Sequence, residues 1–513
     1  MMPVRRRAAG IALLVAAALA VTACAAPRDP DWTPAQWPAE GRVLSEMPPA
    51  SDDDAVAPTL DLRLRNDDVD IDARWSVLPG EQPINARIEQ AVRDALAARS
   101  AATGTAYAPA VFDAGAGLGA RGCTPGAATA PPAEVLDGRT GTVVVCEIAL
   151  SRGSVFAETI RTVTGDETTI TSNESTTFYT DLSDGTTGTA ADLVADAAPL
   201  WIHLVDTLRR HFGSLSLSAV APPTPDQLAA FVPALTGLRV VGDELIVPVP
   251  ADLHADALDG LAQWTAFTTA RPVAVALPLA AATGALTPLG LAVASASGPF
   301  TGPALRGAGF EHVPCDLVPC MALTLDDGPS SLTPGFLDTL RDDQSAATFF
   351  MLGQNANRHP DTVARVAAEG HEIGNHTWDH PYLTDLTDAQ VTAQLSDTRA
   401  LLQQLSGQSI PFFRPPGGYI DDHVVALAGQ PAILWSVDTR DWAGVGDDDL
   451  AAYAIDRPRR GTIMLMHDIQ PGTARVFARV VAGLRDRGLV LVTVDALFGG
   501  AVAGGIVHHG PTG

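Results

Sequence analysis

The sequence of 513 residues contains no lysine, and arginine supplies all 33 of its basic side chains. The 59 Asp and Glu residues outnumber them and give a formal net charge of -26 at pH 7. These acidic residues are scattered among Ala, Gly, Thr and Pro rather than gathered in one tail. Proteins that bind nucleic acid need positive charge for the phosphate backbone, and we therefore exclude nucleic acid as a partner.

Long apolar runs are also missing, apart from Ile11 to Val21 near the N-terminus. This run is too short for a stable membrane span, and because Arg5 to Arg7 precede it, it predicts an export signal. It ends in Val21 to Cys24, which resembles the lipobox of bacterial lipoproteins. The resemblance implies that residues 1–23 are removed and that lipidated Cys24 holds the chain at the outer face of the cytoplasmic membrane. The alternative is ordinary cleavage and secretion.

Cysteine is scarce, with five residues in the chain. Lipidation of Cys24 leaves four, and an exported protein resides where disulfides persist. Four cysteines allow three connectivities. The simplest joins neighbours along the chain and has a structural role: Cys123 with Cys146, and Cys315 with Cys320.

The length and the 46% hydrophobic content suffice for two or three globular domains. An alternating stretch from Leu60 to Leu64 predicts a strand, and helical spacing from Ile84 to Ala98 predicts a helix. The N-terminal region is therefore predicted to be α+β. The predicted organisation is a signal peptide at 1–23, a flexible tether at 24–58, an α+β domain at 59–220, a small α+β domain at 221–300, a linker at 301–318, a C-terminal domain at 319–499 and a tail at 500–513.

After Met321, short apolar runs alternate with longer amphipathic segments. The predicted strands are Met321 to Leu325, Ala347 to Leu352, His371 to Asn375, Ile410 to Arg414, Ala432 to Asp438, Thr462 to Met466 and Leu489 to Val494. Helical patterns lie between most of them, and repeated strand and helix predict a parallel sheet. Seven such units predict a distorted α/β barrel of the (β/α)7 type. The chain is therefore predicted to be multidomain, with this barrel at its C-terminal end. In such a barrel the chemistry lies at the carboxyl ends of the strands.

Acidic and histidine side chains follow the first and third of these strands. Asp326 and Asp327 are adjacent, and because neighbouring side chains point differently, one can bind a cation while the other acts as a base. His376 and His380 are four residues apart, and a helical turn would bring both imidazoles to one metal with Asp327. Two histidines and one carboxylate leave a coordination position open, as catalytic sites do. Taken singly, each group could be an ordinary turn or a pair of surface histidines.

Three later strand ends carry further polar groups. Arg414 leaves a Phe-rich strand, and His467 follows an apolar one. Burial of either side chain is costly without a partner. We expect Asp326 beside Arg414 and Asp441 beside His467.

Five segments carry these side chains: Thr324 to Ser330, His376 to His380, Phe412 to Gly418, Trp435 to Trp442 and Leu465 to Asp468. In order and spacing they resemble the five motifs of the polysaccharide deacetylase family, also called carbohydrate esterase family 4 or the NodB-homology domain. The resemblance extends from about Pro319 to Phe498. It implies a divalent metal, expected to be Zn²⁺. It also implies these roles: Asp326 as base, Asp327, His376 and His380 as metal ligands, His467 as acid, Arg414 as the group that orients the base, Asp441 as the group that tunes the acid, and Pro416, Gly417, Trp442 and Leu465 as substrate contacts.

Two residues depart from the motifs of the family. Leu325 stands where Phe is common, which is nearly conservative. Gly417 stands where Tyr is common, and this removes a side chain at the substrate mouth. The family directs the backbone N–H of this residue at the oxyanion, and Gly retains that group. The resemblance therefore implies activity but leaves the preferred sugar open.

The upstream region resembles the paired domains that precede the catalytic domain in some Gram-positive peptidoglycan deacetylases and that occur in a lysozyme-binding anti-sigma factor. The segments that carry this resemblance are Trp75 to Leu78 leading to Ile84 and Asn85, Phe178 to Leu182, and Pro225 to Leu228. We expect removal of N-acetyl groups from cell-wall polysaccharide, first from GlcNAc or MurNAc of peptidoglycan. Chitin oligosaccharides and xylan are the alternative substrates. The alternative function is a lipoprotein that binds or senses wall glycan or lysozyme, with a weakly active or inactive barrel.

Overall fold

The computed structural model describes residues 41–49, 57–214, 216, 218–261, 272–304, 313–502 and 504–511. These residues belong to one compact unit that begins at Gly41. The predicted signal peptide at 1–23 and Cys24 lie outside the described residues, as does part of the predicted linker. In the described ranges, no helix has the length and apolar content that crossing a bilayer requires.

The described elements are eighteen strands and fourteen α-helices. The strands are β1 (Arg42–Leu44), β2 (Leu60–Asn66), β3 (Ile71–Val77), β4 (Gly141–Arg152), β5 (Val155–Gly165), β6 (Ile170–Asp181), β7 (Thr186–Thr189), β8 (Arg239–Val241), β9 (Glu244–Pro248), β10 (Ala274–Pro278), β11 (Cys320–Asp326), β12 (Thr348–Met351), β13 (Glu372–Asn375), β14 (Ala432–Ile433), β15 (Val437–Asp438), β16 (Ile463–His467), β17 (Val490–Val492) and β18 (Ile506–Val507). The helices are α1 (Pro83–Thr103), α2 (Pro132–Leu136), α3 (Ala197–His211), α4 (Pro225–Phe231), α5 (Leu279–Ala282), α6 (Pro288–Ser295), α7 (Thr333–Asp342), α8 (Gly353–Arg358), α9 (Pro360–Ala368), α10 (Asp388–Ser406), α11 (Asp422–Ala428), α12 (Asp447–Asp456), α13 (Pro471–Asp486) and α14 (Val494–Leu497).

The first sheet has six strands in the order β2-β3-β4-β5-β6-β7, and only the β3–β4 pair is parallel. Helix α1 joins β3 to β4. It begins with Pro83, which suits a first turn because an N–H there would have no helical partner, and it is capped by Gly104 with φ of 71°. Its apolar stripe of Ile84, Ile88 and Val92 is fully buried. The predicted α+β character of the N-terminal region is confirmed.

A second sheet has the order β1-β10-β9-β8 and is antiparallel. Its edge strand β1 lies inside the stretch predicted to be a tether, and for residues 42–44 that prediction is wrong. Three residues are too few to show a period, and the strand is stabilised by distant partners: Arg42 Nε lies 2.9 Å from Glu244 Oε1, 202 residues away.

The third sheet is parallel, with the order β13-β12-β11-β16-β15 and with β17 beside β11. All seven residues of β11 are buried, as expected for a central parallel strand. Strand β14 pairs with β18. The predicted parallel sheet is confirmed, whereas the complete seven-stranded barrel and the domain boundaries stay predictions.

Two predicted strands differ from the structure. Between Ile410 and Arg414 only Phe413 makes isolated bridges, and the strand from Ala432 to Asp438 is interrupted at residues 434–436. One cause is proline, since Pro411 and Pro415 have no N–H for a ladder. The other is the Arg414 side chain, which occupies the carbonyl oxygens of Ile433 and Leu434.

The N-terminal region and the parallel sheet share one buried cluster, in which Ile88 of α1 lies with Val318, Ile463 and Val490. They also meet through residues 105–123, which we call the base segment. The base segment contacts residues 485–489, between the end of α13 and the start of β17. It therefore lies at the amino ends of the parallel strands.

Disulfides join the same cysteine pairs that sequence order favours. Cys123 is bonded to Cys146 with an S–S distance of 2.09 Å, and Cys315 to Cys320 with 1.99 Å. The first links the end of the base segment to β4, and the second closes a short loop before β11.

Candidate active site

Strand β11 ends with the two adjacent carboxylates. Asp326 is its last residue and stands in register with His467 of β16. Asp327 has a left-handed backbone with φ of 72°, and its carbonyl oxygen accepts a hydrogen bond of 2.7 Å from Asn355. The chain turns at this point, and an oxygen of each carboxylate lies near Nε2 of His376, at 3.7 Å for Asp326 and 3.5 Å for Asp327. Gly328 follows where a Cβ atom would lie 2.3 Å from the carboxylate oxygens of Asp468.

Asp327, His376 and His380 are brought together with their ligand atoms within 4.8 Å of one another. Oδ1 of Asp327 lies 3.5 Å from Nε2 of each histidine. That oxygen is buried and has no hydrogen-bond partner in the described residues, which is costly for a carboxylate unless a cation binds it. Nδ1 of His376 lies 2.8 Å from the carbonyl oxygen of Arg414, so its Nε2 is free to bind a metal. The three side chains fit a divalent cation.

The segment from His376 to His380 is a loop, and the helical turn considered from sequence is wrong. Thr377 and His380 have left-handed φ values of 70° and 71°, which a helix excludes. Asn375 Oδ1 accepts a 2.9 Å hydrogen bond from the Thr377 N–H, and Gln394 Oε1 accepts one of 2.7 Å from the Trp378 N–H. Side chains therefore fix this loop, and the rings of the two histidines lie 5.1 Å apart.

Arg414 and Asp326 form the expected ion pair, with 2.7 Å between Nη1 and Oδ1. Both side chains are buried. The guanidinium also donates to Thr324 Oγ1 and to two backbone carbonyl groups, and it lies over the Phe350 ring at 3.9 Å. Such complete hydrogen bonding is what makes a buried charge tolerable. The pair fixes one oxygen of Asp326 and leaves Oδ2 toward the metal ligands, 3.7 Å from His376 Nε2.

His467 and Asp441 form the second expected pair, with 2.8 Å between Nδ1 and Oδ1. Asp441 is itself held by the backbone N–H of His467 and by the hydroxyl of Thr473. Burial acts to lower the pKa of His467, but the hydrogen bond and charge of Asp441, with the charges of Asp326 and Asp327, raise it to about 9. The imidazole is therefore protonated at neutral pH.

Two of the predicted metal ligands have shifted pKa values. Burial acts to raise the pKa of Asp327, but the nearby imidazoles of His376 and His380 lower it to about 2. The carboxylate is thus ionised at neutral pH. Burial, followed by the charge of His376, lowers the pKa of His380. A neutral imidazole is the form that binds a metal.

The four predicted substrate contacts lie at the same edge of the sheet. Pro416 is buried in a short 3-10 turn, and Gly417 within it has φ of 62°. Trp442 follows Asp441 in another 3-10 turn and is 57% exposed. Leu465 is buried in β16, in register with Thr324. Trp442 and Gly417 are thus exposed, whereas Pro416 and Leu465 are buried.

Several supporting residues were not predicted from the sequence. Asn375 and Gln394 position the histidine loop, and Thr473 positions Asp441. Asp468 is fully buried, accepts a hydrogen bond from the Thr333 hydroxyl, and has its pKa raised to about 7 by burial. Asp468 and Asn375 each stand directly beside a motif histidine in the sequence, and this position could have identified them as supporting residues. Gln394 and Thr473 lie in helices and have no such signal.

Strand-end carboxylates, a metal triad and a paired histidine on a parallel sheet define a hydrolase site of the polysaccharide deacetylase type. The model of the polysaccharide deacetylase family matches residues 315–432. A peptidoglycan N-acetylglucosamine deacetylase of Bacillus cereus is 37% identical over 187 residues, which are 35% of this chain and 87% of that relative. The chain belongs to the polysaccharide deacetylase family.

Two longer relatives are similar over the same region. A peptidoglycan N-acetylglucosamine deacetylase of Listeria monocytogenes is 41% identical over 184 residues, which are 35% of this chain and 39% of that relative. A peptidoglycan N-acetylmuramic acid deacetylase of Bacillus subtilis is 35% identical over 178 residues, 34% of this chain and 38% of the relative. The similarity thus spans well under half of either protein.

Proposed function

We propose that the chain hydrolyses N-acetyl groups of cell-wall polysaccharide and releases acetate. The observation that supports this most directly is the meeting of Asp326, the metal-ligand triad and His467 at one sheet edge. Peptidoglycan is the proposed substrate because the similar proteins of Listeria and Bacillus are named for its GlcNAc or MurNAc units. Chitin oligosaccharides and xylan stay alternatives.

In the proposed reaction, one residue of the chain acts as the base and another acts as the acid. A divalent cation held by Asp327, His376 and His380, for which we propose Zn²⁺, would supply Lewis-acid polarisation of the acetyl carbonyl and of the attacking water. Asp326 accepts the proton of that water at Oδ2, because Arg414 holds its Oδ1.

Gly417 acts on the carbonyl oxygen, and His467 acts on the amide nitrogen. The Gly417 N–H donates to the oxyanion formed when water adds to the carbonyl carbon. His467 donates the proton on its Nε2 to the amide nitrogen, since Asp441 occupies Nδ1. The C–N bond then breaks, giving acetate and a free amine on the sugar.

Acetate release tests the proposal. Asp326→Asn keeps an oxygen for Arg414 but cannot accept a proton, so we expect at least about a hundredfold loss of acetate release from GlcNAc oligomers and from peptidoglycan. Asp342→Asn, an exposed change at the end of α7, is the matched control and should retain full activity. Undiminished release by Asp326→Asn would refute the mechanism. No release by the zinc-loaded wild-type protein would favour the alternative of a glycan-binding lipoprotein.

We further propose that the chain is exported and held at the membrane by lipid on Cys24. The support is the sequence alone, an apolar run preceded by arginines and ending at that cysteine. In a Gram-positive host, Cys24→Ala should move the protein from the membrane fraction to the medium, as immunoblotting would show. Equal membrane association of both forms would contradict lipidation at this residue.

A further inference from the structure

Three of the four most exposed aromatic side chains in the described part of the chain lie beside residues of the candidate site. Among the described residues, those with large exposure are Tyr382, Tyr419, Trp442 and Tyr453. Tyr382 lies two residues after the metal ligand His380, and Tyr419 lies two residues after Gly417. Exposed aromatic groups of this kind mark surfaces that bind a ligand, because water solvates their faces poorly.

Tyr382 and Tyr419 form a pair, with ring centroids 4.6 Å apart and planes inclined by 47°. They are 47% and 55% exposed, so each ring keeps much of its surface open to solvent. Tyr382 is followed by Leu383, which is fully buried, and Tyr419 by Ile420, which packs on the same cluster. The backbone beside each ring is thus anchored in the core, which restrains the pair before any ligand arrives.

The pair fills the space that a side chain at position 417 would need. A Cβ atom on Gly417 would lie 3.0 Å from the Tyr382 ring and 3.1 Å from the Tyr419 ring. The positive φ of Gly417 further disfavours a side chain there. The absent side chain at the mouth is therefore replaced by two rings from neighbouring loops.

We infer that Tyr382 and Tyr419 form a glycan platform on which a pyranose ring of the substrate stacks through its C–H face. The inference rests on the proposed function, because the platform adjoins Gly417 and His380 of that site. A neutral sugar suits it better than an ionic ligand, since no charged side chain forms part of the pair. Rings that are ordered beforehand lose little entropy on binding, as in other aromatic recognition surfaces.

Binding of an N-acetylglucosamine tetramer to the full-length Asp326→Asn protein tests the platform by calorimetry. In that background, Tyr382→Ala and Tyr419→Ala should each weaken binding roughly three- to tenfold, the range for one aromatic contact. Tyr382→Phe and Tyr419→Phe keep the ring and should bind within about twofold of the parent. Tyr453→Ala, which removes a 40% exposed ring on α12, is the control and should bind like the parent.

Unchanged affinity in both alanine variants would overturn the inference, as would equal weakening by phenylalanine and alanine. Zinc content and thermal unfolding of each variant show whether a loss of affinity comes from misfolding. Acetate release by the wild-type protein is measured separately. If that activity is absent while the alanine variants still lose affinity, the proposed function fails and the platform stands.

Discussion

At the scale of single residues, Asp441 controls the proton on His467. Its carboxylate accepts from Nδ1 and is fixed by two further donors, so it cannot turn away. A histidine that must donate a proton works only below its pKa. The raised pKa of about 9 therefore keeps the proposed acid protonated well above neutral pH.

The pH dependence of acetate release should show this control. As pH rises through about 9, His467 loses its proton and activity falls. Asp441→Asn removes the charge that raises the pKa, and the alkaline limb should move toward the ordinary histidine value of about 6.5. The measurement is kcat/KM against pH. Asp447→Asn, an exposed change on α12, serves as control, and coincident limbs for Asp441→Asn and wild type would contradict the assignment.

The pairings of the proposed catalytic residues were predictable because their side chains are expensive to bury alone. Arg414 in a Phe-rich segment requires an anion, and this requirement pointed to Asp326. The same reasoning paired His467 with Asp441. Tyr382 and Tyr419 give no such signal, because an exposed tyrosine needs no partner. Their meeting depends on the conformations of two separate loops.

At the scale of elements, the histidine loop shows where the sequence was informative and where it was not. The spacing of His376 and His380 indicated a shared metal, and the structure brings both to Asp327. The spacing did not determine the conformation, because the side-chain oxygens of Asn375 and of Gln394 in α10 accept hydrogen bonds from the loop in place of helical ones. Local periodicity cannot detect partners 16 residues away. For the same reason, the sequence pattern predicted continuous strands where the structure shows interruptions around Arg414.

Gln394 should therefore affect metal binding without touching the metal. Its side chain accepts from the Trp378 N–H and donates to Asp379 at 2.7 Å, holding the loop that carries both histidines. We expect Gln394→Ala to weaken zinc binding roughly tenfold, as measured by competition with a chelator. Gln404→Ala, exposed on the same helix, should bind zinc normally. Equal zinc affinities for the two variants would show that the loop keeps its conformation without Gln394.

At the scale of the whole molecule, the base segment joins the N-terminal region to the parallel sheet at the end opposite the site. Asp486, the last residue of α13, accepts from the Gly115 N–H at 2.7 Å and from the Gly117 N–H at 2.9 Å. Arg487 and Phe112 exchange two further hydrogen bonds across the same boundary. These contacts leave the carboxyl ends of the strands free for substrate.

Asp486→Asn tests how much this junction contributes to stability. The substitution removes the charge and leaves one acceptor for two N–H groups, which should cost about 1–3 kcal/mol of unfolding free energy. Denaturant unfolding measures the loss, and acetate release should not change because the site lies at the opposite end. Asp448→Asn, 93% exposed on α12, is the control and should unfold like wild type. An equally stable Asp486→Asn protein would show that the hydrogen bonds of Asp486 do not contribute to the stability of the junction.

The base segment also bears on the order in which the chain folds. Asp486 and Gly115 are 371 residues apart, and loop closure over such a length comes late because it must wait for structure between its ends. During synthesis, the N-terminal region is made long before the residues of α13 and β17 that form its partner surface. We therefore expect the amino ends of the parallel strands to be covered late in folding, and we expect a chain that ends before residue 485, which lacks the residues that the base segment contacts, to aggregate.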